Sequence, residues 1–127
     1  MITYKAGTRS FPLVYNLDAM AALQEKLGQP VTIEALSNLL KRWEDMIDVL
    51  VILIRQGSLV SDQEPEEDDA VRVWLRRRLT PGAQPRLVAT ILDTITAGLR
   101  TETAEETGRK GKTDAVLAEL EKKEEAG

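Results

Sequence analysis

The chain opens with two short β-prone stretches, residues 2–6 and 10–14, on either side of Gly7-Thr8. This pattern predicts a small β-hairpin. Pro12 has no N–H for a ladder, which puts the second strand at an edge. Two strands alone are marginal, so the hairpin is expected to lie against helices. After Asn16 the apolar period changes. Leu17, Met20, Leu23 and Leu27 recur at three- and four-residue spacing and predict an amphipathic helix. Asn16 is its N-cap, Asp18 sits at the positive dipole end, and Gly28 followed by Pro30 ends it. Thr32 caps a second helix with the stripe Ile33, Leu36, Leu39 and Leu40, and Lys41-Arg42 at its C-terminal end. A break or bend is expected near Trp43-Glu44.

A third helix is expected from about Asp45 to Gln56, with Gly57 as its C-cap. Between Met46 and Ile54 every residue but Asp48 is apolar, which suits a helix central in the fold. The run Val49–Ile54 also reads as a buried strand because it is rich in β-branched residues. Helix is preferred, since no third strand is evident to pair with it. Residues 61–69 form an acidic loop into a fourth helix, whose apolar positions are Val71, Trp74 and Leu75 and whose Asp68 and Arg72 are spaced for an i,i+4 pair. Thr80-Pro81-Gly82 ends that helix and Pro85 opens a fifth. Val88, Ile91, Leu92, Ile95 and Leu99 then give the clearest amphipathic pattern in the chain. From Thr101 the composition turns charged, with no Ile, Met or aromatic residue, too little apolar surface to offset chain entropy. Residues 114–123 are expected to form at most a transient helix, with Val116, Leu117 and Leu120 as its weak apolar edge. The expected fold is therefore mainly α: a small N-terminal β-hairpin packed on a bundle of about five helices over residues 1–100, then a disordered charged tail over 101–127.

Composition narrows the chemistry. Cysteine and histidine are both absent. Thiol catalysis, imidazole acid–base chemistry and the usual zinc sites are thereby excluded. The Ser and Thr residues show no nucleophile elbow, and no Gly-rich phosphate loop is present. The acidic run Asp62–Asp69 lacks calcium-loop spacing and reads as a solvated loop and helix start. The expectation is a protein that is not an enzyme, with no cofactor, no metal and no small-molecule substrate. The net charge of −4 argues against nucleic-acid binding, which needs clustered positive charge. Arg76, Arg77 and Arg78 are consecutive and point three ways from a helix. The third and fourth helices are also joined by a loop of about ten residues, not the three or four of a helix-turn-helix. The longest apolar run is far too short for a membrane span, and no signal pattern opens the chain. A soluble, intracellular protein is expected.

The stretch Phe11-Pro-Leu-Val-Tyr-Asn-Leu-Asp-Ala-Met-Ala-Ala-Leu-Gln-Glu-Lys-Leu-Gly28 resembles the opening of tail assembly chaperones of long-tailed bacteriophages. An aromatic-bearing strand leads to an Asn-Leu helix start, and the helix ends in Leu23-Gln-Glu-Lys-Leu-Gly28. Thr32-Ile-Glu-Ala-Leu36 matches the next helix. A strongly apolar helix with Arg55-Gln-Gly-Ser-Leu59, an acidic helix start and a final amphipathic helix continue the likeness through residues 2–100. Arg55-Gln56 departs from the aromatic-Ala pair usual before the Gly. The resemblance implies a non-enzymatic assembly factor in the host bacterial cytoplasm, absent from the mature virion. Its implied partners are the tape measure protein, which it keeps soluble, and the tail tube protein.

Surplus apolar surface on the third, fourth and fifth helices is expected to form a groove for apolar-striped helices. Candidate partner-binding residues are Trp43, Trp74, Val88, Ile91 and Ile95. The two tryptophans suit interface anchors and core-edge positions alike. The alternatives are a small virion structural subunit for tail completion or connection, a helical DNA-binding regulator, and a domain that merely self-associates.

Overall fold

A computed structural model describes residues 1–105, with side chains through Arg100. Strands β1 (Ile2–Ala6) and β2 (Arg9–Leu13) pair antiparallel, with Tyr4 opposite Phe11 and Ala6 opposite Arg9. The two-residue turn places Gly7 at φ 62° and leaves Thr8 at negative φ, the arrangement of a hairpin turn with glycine first. The alternation puts Tyr4, Ala6, Phe11 and Leu13 on one buried face.

Helix α1 (Leu17–Leu27) starts where Asn16 Oδ1 accepts the Ala19 N–H at 3.0 Å, and ends at Gly28 with φ 69°. Helix α2 (Ile33–Leu39) starts where Thr32 Oγ1 accepts the Ala35 N–H at 3.1 Å. Its chain breaks at residues 40–42, so Lys41 and Arg42 lie in the turn and Trp43 is the first residue of α3. Helix α3 (Trp43–Val60) is the axis of the fold, with Met46, Val49, Leu50, Val51 and Leu53 at most 2% exposed. Residues 49–54 are thus helix. Helix α4 (Asp68–Arg78) gathers Asp68 and Asp69 in its first turn and three arginines in its last, complementing the dipole at both ends. A 3₁₀ turn (Pro81–Ala83) leads into α5 (Gln84–Glu105). Helix α5 continues past Thr101, where the composition changes. The expected disordered tail otherwise falls on residues 106–127, and with it the transient helix 114–123. These lie outside the described residues.

The expected C-cap at Gly57 is corrected. Helix α3 passes through Gly57 to Val60, which shortens the following loop to residues 61–67. The glycine serves packing instead. A Cβ there would lie 1.8 Å from the Pro12 carbonyl oxygen and 2.4 Å from its carbon. Strand β2 rests directly on the helix backbone, and just beyond it the Val14 N–H donates to the Leu53 carbonyl at 3.2 Å. Gly98 of α5 repeats the device: a Cβ would lie 2.2 Å from the Tyr15 carbonyl oxygen. The two glycines let the 12–15 segment wedge between α3 and α5.

The expected Asp68–Arg72 pair is also corrected. Arg72 Nε reaches Asp48 at 2.7 Å and Arg72 Nη1 reaches Asp69 at 2.8 Å, while Asp68 faces Arg55 at 3.5 Å. Asp48, the one charge in the apolar run, also takes Lys26 Nζ at 2.8 Å, and Lys26 reaches Asp45 at 3.2 Å. This cluster ties α1, α3 and α4 together. Burial pushes the Asp48 carboxyl up, but hydrogen bonds and charge from Lys26 and Arg72 outweigh it and hold the carboxyl below its usual value. The hydrogen bond to Asp48 likewise raises Lys26 above its usual value, against the effect of burial.

Candidate functional site: an apolar groove beside the N-terminal segment

The five candidate binding residues are not brought together. Ile91 is fully buried and Ile95 is 8% exposed, so both belong to the core and neither faces a partner. The α5 stripe meets the core centrally at Leu87, Ile91, Thr94 and Ile95, and leaves Leu92 and Leu99 outside. Leu87, fully buried, escaped the sequence reading because the pattern was started one residue late, at Val88. Val88 is half-buried in a hollow shared with Leu40, Lys41, Pro85 and Leu92.

Trp74 is held by the fold. Its ring meets Phe11 edge-on at 5.6 Å, with the Arg9 guanidinium 4.9 Å and the Arg78 guanidinium 5.1 Å from its centroid. Arg9 also covers Phe11 at 4.6 Å and pairs with Glu66. These contacts clamp the acidic loop and α4 onto the hairpin. The outer side of Trp74 lines a hollow with Val73, Arg77 and Arg78, a charged surface. Trp43 is half-buried against the core. Both tryptophans therefore contribute to packing.

The apolar surplus collects elsewhere. A groove of about 550 Å³ runs between the 13–17 segment, the start of β1, the end of α3 and the last described turns of α5. Tyr15, Thr94 and Gly98 lie along it, and Met1, Leu17, Val60 and Leu99 stand around it. These last four are 73%, 69%, 51% and 63% exposed, and they are half of the eight exposed large apolar side chains among the described residues. The lining carries no charged side chain. Two of its polar side chains are already engaged. Asn16 caps α1 and donates from Nδ2 to Gln56 Oε1 at 3.2 Å, and Thr94 donates to the Thr90 carbonyl at 2.8 Å. Burial pushes the Tyr15 phenol up, which keeps it neutral.

Tertiary contacts create this groove. Asn16 forces α1 to begin where the strand segment ends, which leaves Leu17 at the lip. Gly98 brings Tyr15 onto α5, so Leu99 falls on the opposite lip. Leu17 and Leu99 were legible as ends of apolar stripes, yet nothing local told them apart from the stripe centres. Such a surface can bind apolar side chains of another segment, and it offers no group suited to chemistry.

Among the described residues no group of His, Cys, Asp or Glu side chains could hold a metal ion, and no helix is long and apolar enough to cross a membrane. No known protein family, curated protein or solved structure matches the chain. The functional reading rests on the sequence motifs and on this groove.

Proposed function

We propose that the chain is a tail assembly chaperone of a long-tailed bacteriophage, a binding protein without catalytic activity. In this reading it captures the tape measure protein through the groove beside α1 and α5, keeps it soluble and promotes assembly of the tail tube around it. It acts in the host bacterial cytoplasm and leaves before the virion is complete. One observation carries the reading: a groove without charged side chains, ringed by Met1, Leu17, Val60 and Leu99, on a chain otherwise rich in charge. A tape measure is a long chain of apolar-striped helices that lacks its final partner until the tube surrounds it. Groove packing covers such stripes, and many weakly bound copies along one chain suffice.

Co-expression with the tape measure protein tests this. The wild-type chain is expected to keep the tape measure in the soluble fraction as a recoverable complex. Leu17→Asp with Leu99→Asp removes two exposed leucines, each contributing about 1.5–3 kcal/mol when buried by a partner, so affinity should fall roughly 100-fold or more. The fold should survive, since both side chains are exposed and an Asp at position 17 sits at the favourable end of the α1 dipole. Equal solubilisation by the double variant would remove the groove from the mechanism. An insoluble tape measure beside the wild-type chain would end the chaperone reading, and recovery of the chain in purified particles by mass spectrometry would favour a virion subunit.

A further inference from the structure

Helix α4 buries Val71 and Leu75 and turns Asp69, Ala70, Val73, Arg76 and Arg77 outward, all five exposed. By the 3.6-residue period these five lie within about 60° of Val73 around the helix. Val73 itself is 49% exposed. The face is ordered along the axis, with acid first, small apolar side chains in the middle and base last. Asp69 and Arg77 stand at equal distances in sequence before and after Val73. The Asp69 side chain is 95% exposed and meets Arg72 at 2.8 Å through one oxygen. Arg76 faces Glu44 at 4.0 Å, and among the described residues Arg77 makes no ion pair. A half-turn about an axis through Val73 lays α4 antiparallel on a copy of itself. Val73 then meets Val73, each Asp69 meets an Arg77, and the small Ala70 leaves room for the stem of Arg76. The face is its own complement, as an isologous two-fold contact requires. An acidic partner would satisfy Arg77 but meet Asp69 as a like charge, and a basic partner would do the reverse. A second copy satisfies both.

We infer that α4 pairs antiparallel with α4 of a second copy of the chain, through Val73 on the two-fold axis and reciprocal Asp69–Arg77 ion pairs. This goes beyond the proposed function and does not depend on it. A helix of 11 residues is about 16 Å long. Contact along it buries much less than the roughly 1,200 Å² of a stable complex, so the pair is transient in the free protein. Its ion pairs are exposed, so salt weakens it further. Copies held side by side on one partner meet at high effective concentration and pair more fully.

The full chain has no cysteine, so Val73→Cys places a single thiol on the two-fold axis. Helix axes about 8–10 Å apart bring the two Cα atoms to about 4–5 Å, within reach of a disulfide. Under mild oxidation at low salt, V73C is expected to form covalent dimers about tenfold faster than Ile33→Cys, whose site on α2 is 85% exposed. Adding Asp69→Arg or Arg77→Asp to V73C sets like charges face to face and should slow the reaction about tenfold. An equimolar mixture of those two variants should recover the rate, because every facing pair is then opposite in sign. A chain carrying both changes should recover it too. Both positions are exposed, and circular dichroism checks that each variant stays folded. Sedimentation equilibrium of the wild-type chain at low salt should show a reversible dimer that Val73→Arg removes. Equal rates for V73C and I33C overturn the inference. So does a mixture that fails to recover, because the helices are then not antiparallel about Val73. If the chain stays monomeric while a tetraglutamate peptide shifts the α4 amide signals in NMR spectra, an acidic partner takes the face and the second copy is ruled out.

Discussion

Replacing Gly57 by alanine sets two effects against each other. In an isolated helix the change is favourable by about 1 kcal/mol, because glycine has the greater conformational freedom to lose. Here the new Cβ would lie 1.8 Å from the Pro12 carbonyl oxygen, 2.4 Å from the Pro12 carbonyl carbon and 3.1 Å from the Leu13 nitrogen. All three are backbone atoms, so no side chain can swing away, and strand and helix must separate by more than an ångström. Overpacking of this kind costs about 1–3 kcal/mol, and the rigid neighbour puts Gly57 at the upper end. Separation also strains the hydrogen bond from Val14 to Leu53, worth about 1 kcal/mol. The clash wins, with a net loss of about 3 kcal/mol and a fall in Tm of roughly 10–20 °C for a domain of this size. Urea unfolding followed by far-UV circular dichroism and tryptophan fluorescence measures it, with Trp74 reporting on its contact with the hairpin. Gly82→Ala is the control, because a Cβ there meets nothing within 4 Å. It should be neutral or slightly stabilising. A Gly57→Ala variant as stable as the wild type would mean that helix propensity governs the position and that β2 does not rest on the α3 backbone.

Other substitutions test other parts of the fold. Asp48→Asn leaves Lys26 and Arg72 without their shared carboxylate and should cost about 1–2 kcal/mol at neutral pH by urea midpoint. The wild-type carboxyl titrates below its ordinary 3.8 in the folded state. Its stabilisation is therefore complete above that value and is lost as pH falls through the lower folded value. The Asn variant should lose less stability over that acid window, and parallel pH profiles would refute the bridge. Lys26 has the opposite sign: its contribution is complete below 10.5 and disappears as pH rises through its raised folded value. Ile91→Asp buries a charge at a fully buried site and should abolish cooperative thermal unfolding, whereas Leu92→Asp, one residue on and 38% exposed, should shift stability by less than about 0.5 kcal/mol. Similar effects at both positions would place α5 in a different rotation.

Local chemistry was enough to determine the elements. Asn16 and Thr32 each have a side-chain oxygen suited to an orphan N–H, and Gly7 and Gly28 can take positive φ. The 3.6-residue stripes then set helix against strand in α1, α2 and α5. Each of these decisions depends on atoms within about one helical turn, which a sequence displays directly. The β-branched run in α3 carries no such stripe, and only the lack of a third strand to pair with it pointed to helix. Tertiary structure alone decided which end of each stripe was covered. Leu17 and Leu23 share a stripe, as do Leu99 and Ile91, and only the neighbours that reach them separate core from surface. Gly57 reads locally as a helix end and Gly98 carries no local signal at all, yet another backbone lies on each of them. Asp48 drew Arg72 from a different helix, because the nearest carboxylate in space was not the nearest along the chain. The groove belongs to this second class: its lips come from the chain start, α1, α3 and α5, and no stretch of sequence contains more than one of them.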